Sequence, residues 1–199
     1  MWEERYKASQ DYLFGRQPAG FLLENPGWLR PGLRALCVAD GEGRNSVHLA
    51  EKGLGVTAFD RAPSAVDRGR ALAAERGVAV DFHVSDWQGW DWTRGVGLVV
   101  AIFIQFADPV ARKGQFVDLR RAVAPGGVLM LHGYTPEQVD LGTGGPPHRE
   151  NMYTCAMLRD AFGDWRIERL AAYEREVQEG RGHSGRSALI DLIARRPQG

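Results

Sequence analysis

Cysteine, net charge and long apolar runs are all scarce in this sequence. Cys37 and Cys155 are the only cysteines. They form neither a metal-type pair nor the framework of a disulfide-stapled fold. Cys37 also falls inside an apolar run, where a thiol packs as a small hydrophobe. Lys and Arg together number 25, as do Asp and Glu, which leaves no net charge near neutral pH. That balance provides no electrostatic footprint for nucleic acid or for an anionic membrane. The basic residues fall in short pairs such as Arg120–Arg121 and Arg195–Arg196, as on a solvated surface. The longest apolar stretch, residues 97–107, is too short to cross a bilayer and contains Gln105. The opening MWEERYKASQ lacks the apolar core of a secretory signal. No internal repeat, low-complexity tract or long linker follows. These shortages predict a cytoplasmic, reduced setting, with neither nucleic acid nor membrane as partner.

What remains suits one domain. A chain of 199 residues, 44% apolar and 25% charged, can bury a core. The expected division is a single domain over 1–199, with residues 1–30 as an N-terminal cap and 33–199 as the core. The cap is rich in aromatics: Trp2, Tyr6, Tyr12, Phe14, Phe21 and Trp28. Pro26, Gly27, Pro31 and Gly32 close it with turn signals.

Beyond the cap the pattern alternates. Strand-like runs fall at 33–39, 56–59, 78–84, 98–103 and 128–132. Helical patterns fill 45–52, 63–77 and 108–124, with Pro63 and Asp108–Pro109 as helix starts and Pro125–Gly126–Gly127 as a stop. Such alternation with short connections predicts an α/β fold, a parallel sheet covered by helices on both faces. The ending differs. After a helix at 154–162, strand-like runs at 165–177 and 188–195 are separated by little more than EGRGHSGR. That is too short for a crossover helix, so these two strands are expected to be antiparallel neighbours.

The first loop carries the strongest signal. In CVADGEGRNS, Gly41 and Gly43 follow a strand and precede a helix. In an open α/β sheet, ligands bind outside the carboxyl ends of the strands, where the strand order reverses. Two glycines there permit close backbone approach, and the helix start near Asn45 offers free N–H groups. Asp60 ends the next strand, VTAFD, 17 residues after Gly43, and can accept from both hydroxyls of a ribose. Asp86 follows the third strand in VSDWQGW, beside Trp87, and can accept from an adenine amino group. Taken singly, these are a turn, an N-cap and a loop residue. Together, at the ends of three consecutive strands, they describe a ribose–adenine ligand along the sheet edge. A nicotinamide site wants a third glycine where this chain has Ser46, and Glu42 puts a carboxylate where a pyrophosphate would lie.

The order of these segments resembles the class I S-adenosylmethionine-dependent methyltransferases. ALCVADGEGRNSVHLAEKG is similar to their glycine-loop motif, VTAFD to the second motif and VSDW to the adenine-side motif. LVVAIFIQF and LRRAVAPGGVLML are similar to the fourth strand and to the helix–PGG–strand segment behind it. YLFGRQPAGFL resembles the N-terminal segment of small-molecule methyltransferases related to the tellurite-resistance group. The resemblance implies a Rossmann-like seven-stranded sheet of order 3-2-1-4-5-7-6, with strand seven antiparallel. It implies S-adenosylmethionine as cofactor and S-adenosylhomocysteine as product. Cofactor contacts are then expected from Ala39, Asp40, Gly41, Glu42, Gly43 and Asn45 in the first loop. Asp60 and Arg61 would serve the ribose, and Asp86 and Trp87 the adenine. Ile102 and Phe103 belong at the end of the fourth strand, and Tyr12 and Arg16 in the cap. Two departures stand out: Cys37 replaces the usual acidic residue of strand one, and Ala39 the usual first glycine. Asp40 is placed to take over from the missing acid.

Methyl transfer from a sulfonium needs alignment and exclusion of water, and a base only for a weakly acidic nucleophile. His48 and His83 read as structural, and His148, in the Gly/Pro-rich loop after the fifth strand, as solvated. His132 ends the fifth strand on the ligand side, with Tyr134 just behind. His183 sits in EGRGHSGR, read as a mobile loop over the cofactor side. His183, Tyr134 and His132 are the catalytic candidates. Gln105, Phe106, Tyr134, Tyr153 and His183 are the acceptor-side candidates. No ligand-pair spacing links His132, His148, His183 and Cys155, so no metal is expected. The favoured reading is a methyltransferase acting on a small molecule, as a monomer or homodimer. An S-adenosylmethionine-binding module without catalysis stays open on the Cys37 and Ala39 departures. A nicotinamide oxidoreductase is the third reading.

Overall fold

Each expected element forms, and its ends follow local chemistry. The computed structural model describes residues 2–180 and 182–199. The cap forms helices α1 (Trp2–Ala8) and α2 (Gly20–Glu24), then a single 3-10 turn at Pro26–Trp28. The core follows as β1 (Arg34–Val38), α3 (Arg44–Glu51), β2 (Gly55–Asp60), α4 (Pro63–Arg76), β3 (Val80–Val84), β4 (Val96–Ile102), α5 (Pro109–Ala122) and β5 (Val123–Tyr134). After a short α6 (Gln138–Leu141) and a 3-10 turn at Arg149–Asn151 come α7 (Cys155–Phe162), β6 (Arg166–Glu179) and β7 (His183–Arg195). Proline opens both α4 and α5, where its missing N–H costs nothing. The Asp108 side chain caps α5 by accepting from the N–H groups of Val110 and Ala111, both at 2.9 Å. Thr154 caps α7 through Met157 N–H at 3.2 Å.

The sheet has seven strands in the order β3-β2-β1-β4-β5-β7-β6. β1, β2 and β3 pair in parallel, as do β4 and β5, while β7 runs antiparallel to β5. By internal packing the chain falls into two compact units, Met1–Asp91 with Glu179–Gly182, and Trp92–Gln178 with His183–Gly199. In the first, α3 and α4 pack on the strands and bury Val47, Leu49, Ala58, Phe59 and Leu72. In the second, α5 and α7 cover strands whose apolar runs are almost wholly buried, such as Leu98–Ala101 and Leu129–Leu131, while β7 buries Leu189, Ile190, Leu192 and Ile193 around Asp191. Such continuous apolar runs are the mark of strands covered on both faces.

Two boundaries differ from expectation. β5 starts at Val123, not at residue 128, because Val96 already pairs with Val123 before the register slips to Leu98–Val128. The PGG segment lies in that slip, and Gly126 N–H finds its acceptors at Arg196 O (3.1 Å) and Pro197 O (3.3 Å), outside the ladder. The second correction concerns EGRGHSGR. Most of it is strand, since β6 runs through Glu179 and β7 begins at His183; Arg181 lies outside the described residues. β7 meets β5 only from Leu189 onward. Nearer the turn, polar cross-strand pairs hold the hairpin: Ser184 with Gln178 at 3.2 Å and Arg186 with Glu174 at 2.8 Å. A polar two-stranded ribbon has no apolar alternation, so the sequence pattern there resembles a loop.

Candidate functional site

In the first unit the chain leaves β1 through Ala39, an alanine at φ 47°, in the left-handed region. Backbone strain of this kind persists only where the surroundings enforce it. Asp40 N–H donates to Phe59 O at 3.0 Å, and Gly41 N–H donates to Asp60 Oδ2 at 2.9 Å. Asp60 Oδ1 accepts from Ala62 N–H at 2.9 Å, so this buried carboxylate ties the ends of β1 and β2 together. Burial pushes its pKa up, against the pull of those two N–H groups. Asp40 accepts from the Ser46 hydroxyl. Burial raises its carboxyl to about 7, the Ser46 bond opposes this, and the Asp60 charge adds to it.

The two glycines do different work. A Cβ on Gly41 would lie 2.8 Å from the Tyr6 hydroxyl, so Gly41 is the floor on which Tyr6 rests. A Cβ on Gly43 would lie 2.7 Å from the Cα of Gly69, so Gly43 lets α3 begin hard against α4. Tyr6 is buried, with Trp2 and Phe14 around its ring at 6.0 and 6.4 Å. Burial raises its phenol pKa, and the charges of Asp60, Glu42 and Asp40 raise it further. Three carboxylates therefore converge near one buried phenol. Sequence reasoning missed Tyr6 as a site residue; it counted only as one cap aromatic among six.

Other expected contacts are engaged within the protein. The sequence places the Glu42 carboxylate in the loop toward the ligand. Here it is buried, paired with Arg68 at 2.6 Å, and accepts from Leu13 N–H at 2.7 Å. Asn45 Oδ1 accepts from Ala19 N–H at 2.9 Å, and Tyr12 donates its hydroxyl to Arg68 O at 3.0 Å. Arg16 pairs with Glu75 instead of standing open to a carboxylate. Arg61 and Asp86 are exposed, and Asp86 Oδ1 accepts from Gly89 N–H at 2.8 Å. Trp87 is buried edge-on to Phe59, while Trp90, absent from the sequence-based expectations, stacks on Phe59 at 4.5 Å.

In the second unit β4 ends at buried Ile102, and Phe103 follows at φ 55°. The Phe103 ring is a hub. His183 stacks on it at 4.1 Å, Tyr134 lies at 4.7 Å, and His132 meets it edge-on at 4.9 Å. Tyr134 and His183 share a hydrogen bond between the phenol oxygen and Nδ1. The expected mobile position of His183 is corrected: it is the first residue of β7 and only 6% exposed. His132 Nδ1 lies 2.7 Å from Asp191 Oδ1. Asp191 also accepts from Arg169 Nε at 2.8 Å and from the Tyr173 hydroxyl at 3.1 Å. Burial works to raise the Asp191 pKa, but the bonds and charges of His132 and Arg169 hold it low. Gln105 is a clamp: its amide donates to Tyr134 O and accepts from Tyr134 N–H, each at 2.7 Å. Phe106 is half exposed. Tyr153 is fully buried, its N–H donating to Tyr134 O at 3.0 Å.

The strand order, the antiparallel β7 and the glycine loop after β1 define the Rossmann-like fold of the S-adenosylmethionine-dependent methyltransferases. Residues 35–127, just under half of the chain, match a protein-family model described as Methyltransferase domain. Among solved structures, a protein studied for the conversion of a disulfide bond into a thioacetal group in echinomycin biosynthesis superposes with a TM-score of 0.77 at 19% identity, over 100% of this chain and 92% of that one. TehB from Haemophilus influenzae gives 0.69 at 14% identity, over 98% of this chain and 65% of TehB. Magnesium protoporphyrin IX methyltransferase (ChlM) from Synechocystis PCC 6803, solved with bound S-adenosylhomocysteine, gives 0.67 at 20% identity, over 87% and 78%. At these identities the likeness is one of fold. In sequence, the uncharacterized protein Rv1403c of Mycobacterium tuberculosis is 30% identical over 122 residues, covering 60% of this chain and 44% of the relative. The chain thus spans less than half the length of the curated relatives it matches.

Proposed function

We propose that this chain transfers the methyl group of S-adenosylmethionine to a small-molecule nucleophile. The observation that carries the reading is the pair of carboxylates, Asp40 and Asp60, set around the Gly41 amide at the ends of β1 and β2, within the segment that matches the methyltransferase-domain model. Neither is neutralised by an ion pair among the described residues, and Asp40 is held near the brink of ionisation. Such a site favours a cation over a pyrophosphate, which fits a ligand bearing an ammonium and a sulfonium. The cofactor supplies a methyl carbon already activated by positive sulfur: the acceptor lone pair forms the new bond as the carbon–sulfur bond breaks and its electrons return to sulfur.

In this reading Asp60 keeps lone pairs for the ribose hydroxyls beyond its two backbone bonds, and Asp40 takes the ammonium. Tyr6 and Phe14 exclude water. Asp86 and Trp87 serve the adenine. On the acceptor side the base is drawn from the Tyr134–His183 pair and from His132, oriented by Asp191 as imidazoles are when a carboxylate fixes their tautomer. A cytoplasmic setting and a monomer or homodimer belong to the same reading. Calorimetry with S-adenosylhomocysteine and NAD tests it. S-adenosylhomocysteine should bind and NAD should not, and Asp60→Asn should weaken binding by about 1–3 kcal/mol, the scale of a hydrogen bond to a charged group. NAD binding without S-adenosylhomocysteine binding defeats the proposal.

A further inference from the structure

Helix α5 presents Arg112, Gln115 and Phe116, three and four residues apart, along one buried side. They face the chain that returns from the loop after β5. Arg112 Nη1 donates to Glu150 O at 2.6 Å, and the Phe116 ring lies 5.7 Å from that of Tyr153. The Tyr153 bond to Tyr134 O places this cluster at the carboxyl end of β5.

The cluster is out of balance. Arg112 is 7% exposed, and among the described residues its guanidinium meets no carboxylate, only the Glu150 carbonyl. Gln115 is 4% exposed, and among the described residues neither its Nε2 nor its Oε1 has a hydrogen-bond partner. The Tyr153 hydroxyl is wholly buried and also lacks one among those residues. Each unmatched buried polar group costs about 1–3 kcal/mol, and an unpaired buried charge costs more. Arg112 and Tyr153 share one electrostatic environment, since burial raises the Tyr153 phenol and the Arg112 charge pulls it back; Gln115 lies three residues along the same buried side of α5 from Arg112. Bound water would satisfy the polar atoms but not the charge. A carboxylate does both: it meets the guanidinium fork and accepts from the phenol and the amide N–H. Gln115 Oε1 is then left to accept from a hydroxyl or amine elsewhere on the same molecule.

We propose that Arg112, Gln115 and Tyr153 bind the carboxylate of a small organic acid, and that this acid is the methyl acceptor. Phe116, Tyr153 and Phe162 line the surroundings with aromatic rings, so an acid with an apolar or aromatic body suits the site. The identification of the acid as acceptor rests on the methyltransferase reading; the carboxylate site itself does not.

Calorimetric titration of the full chain near neutral pH, with acetate, malonate and benzoate against acetamide and benzamide, tests the site. At least one acid should bind about tenfold tighter than its amide. Arg112→Gln should remove about tenfold of that affinity, and Tyr153→Phe about threefold. Tyr153→Phe keeps the ring and deletes only an unmatched hydroxyl, so it should fold with a melting temperature at least as high as the parent's even if Arg112→Gln does not. Acids that bind no better than amides, or a Tyr153→Phe variant that binds the preferred acid as well as the parent does, overturn the proposal. S-adenosylhomocysteine titrated in parallel separates the two readings. Its failure to bind removes the acceptor role and leaves the carboxylate site standing, while loss of acid binding alone removes only the site.

Discussion

Asp40 shows how much one residue's surroundings matter. Its ordinary pKa is 3.8, and in the folded protein it is about 7, chiefly through burial. Between those values the folded state holds a proton that the unfolded state has released, so stability should fall as pH rises from about 4 to about 7 and level off above. Ligand affinity should run the other way. A cationic ligand favours the ionised carboxylate, so S-adenosylhomocysteine, through its ammonium, should bind more tightly at pH 8 than at pH 6. Asp40→Asn should flatten that dependence. Calorimetry at several pH values reads both slopes, and an unchanged slope in the variant would remove Asp40 from the site. The sequence showed Asp40, Asp60 and the glycines because a loop between strand and helix is a local pattern. It concealed the occupation of Glu42, Asn45 and Arg16, whose partners Arg68, Ala19 and Glu75 are near only in space.

Elements were legible to the extent that they were apolar. β4 and the middle of β5 read directly from runs that must be buried, whereas the polar half of the β6–β7 hairpin read as a loop. PGG reads as a helix stop, but α5 already ends at Ala122 and PGG lies within β5, a place in the sheet that leaves no mark on hydropathy. A Cβ on Gly127 would lie 2.9 Å from Ala124 O and 3.0 Å from Val96 O, where only backbone could give way. Gly127→Val should therefore lower stability by about 2–3 kcal/mol, the scale of forced overpacking. A denaturant melt measures this; a variant as stable as the parent would mean that the register slip adapts freely. Gly114 is the matched control, since a Cβ there meets nothing within 4 Å.

At the scale of the whole molecule, the α/β class follows from the alternation of strands and helices, whereas the sheet order comes only with the resemblance of the motifs to the methyltransferases. Long-range polar links did not follow. Glu179, at the end of β6, accepts from Gly20 N–H at 2.9 Å and pairs with Arg44 at 2.8 Å, with the two side chains 11% and 7% exposed. Nothing in the local pattern of YEREVQEG separates Glu179 from the other glutamates of the strand. Glu179→Ala should leave a buried guanidinium without its acid and cost about 3–5 kcal/mol, whereas Glu179→Gln, which can still accept from Gly20, should cost less. Chemical unfolding of both variants measures the difference, and equal losses would mean that the charge is irrelevant there.

The same turn also receives the cap. Gly182 N–H donates to Leu13 O at 3.1 Å, and Glu179 and Gly180 pack with the first unit although they lie far from the cap in sequence. This bears on synthesis at the ribosome. The aromatic cap is translated ahead of the glycine loop, but its fastening includes Glu179, made 159 positions after Gly20. A nascent chain halted before Glu179 would therefore carry the glycine loop and both carboxylates while its cap stayed unfastened. Competence for the cofactor would then be acquired late, after the acidic loop has already folded.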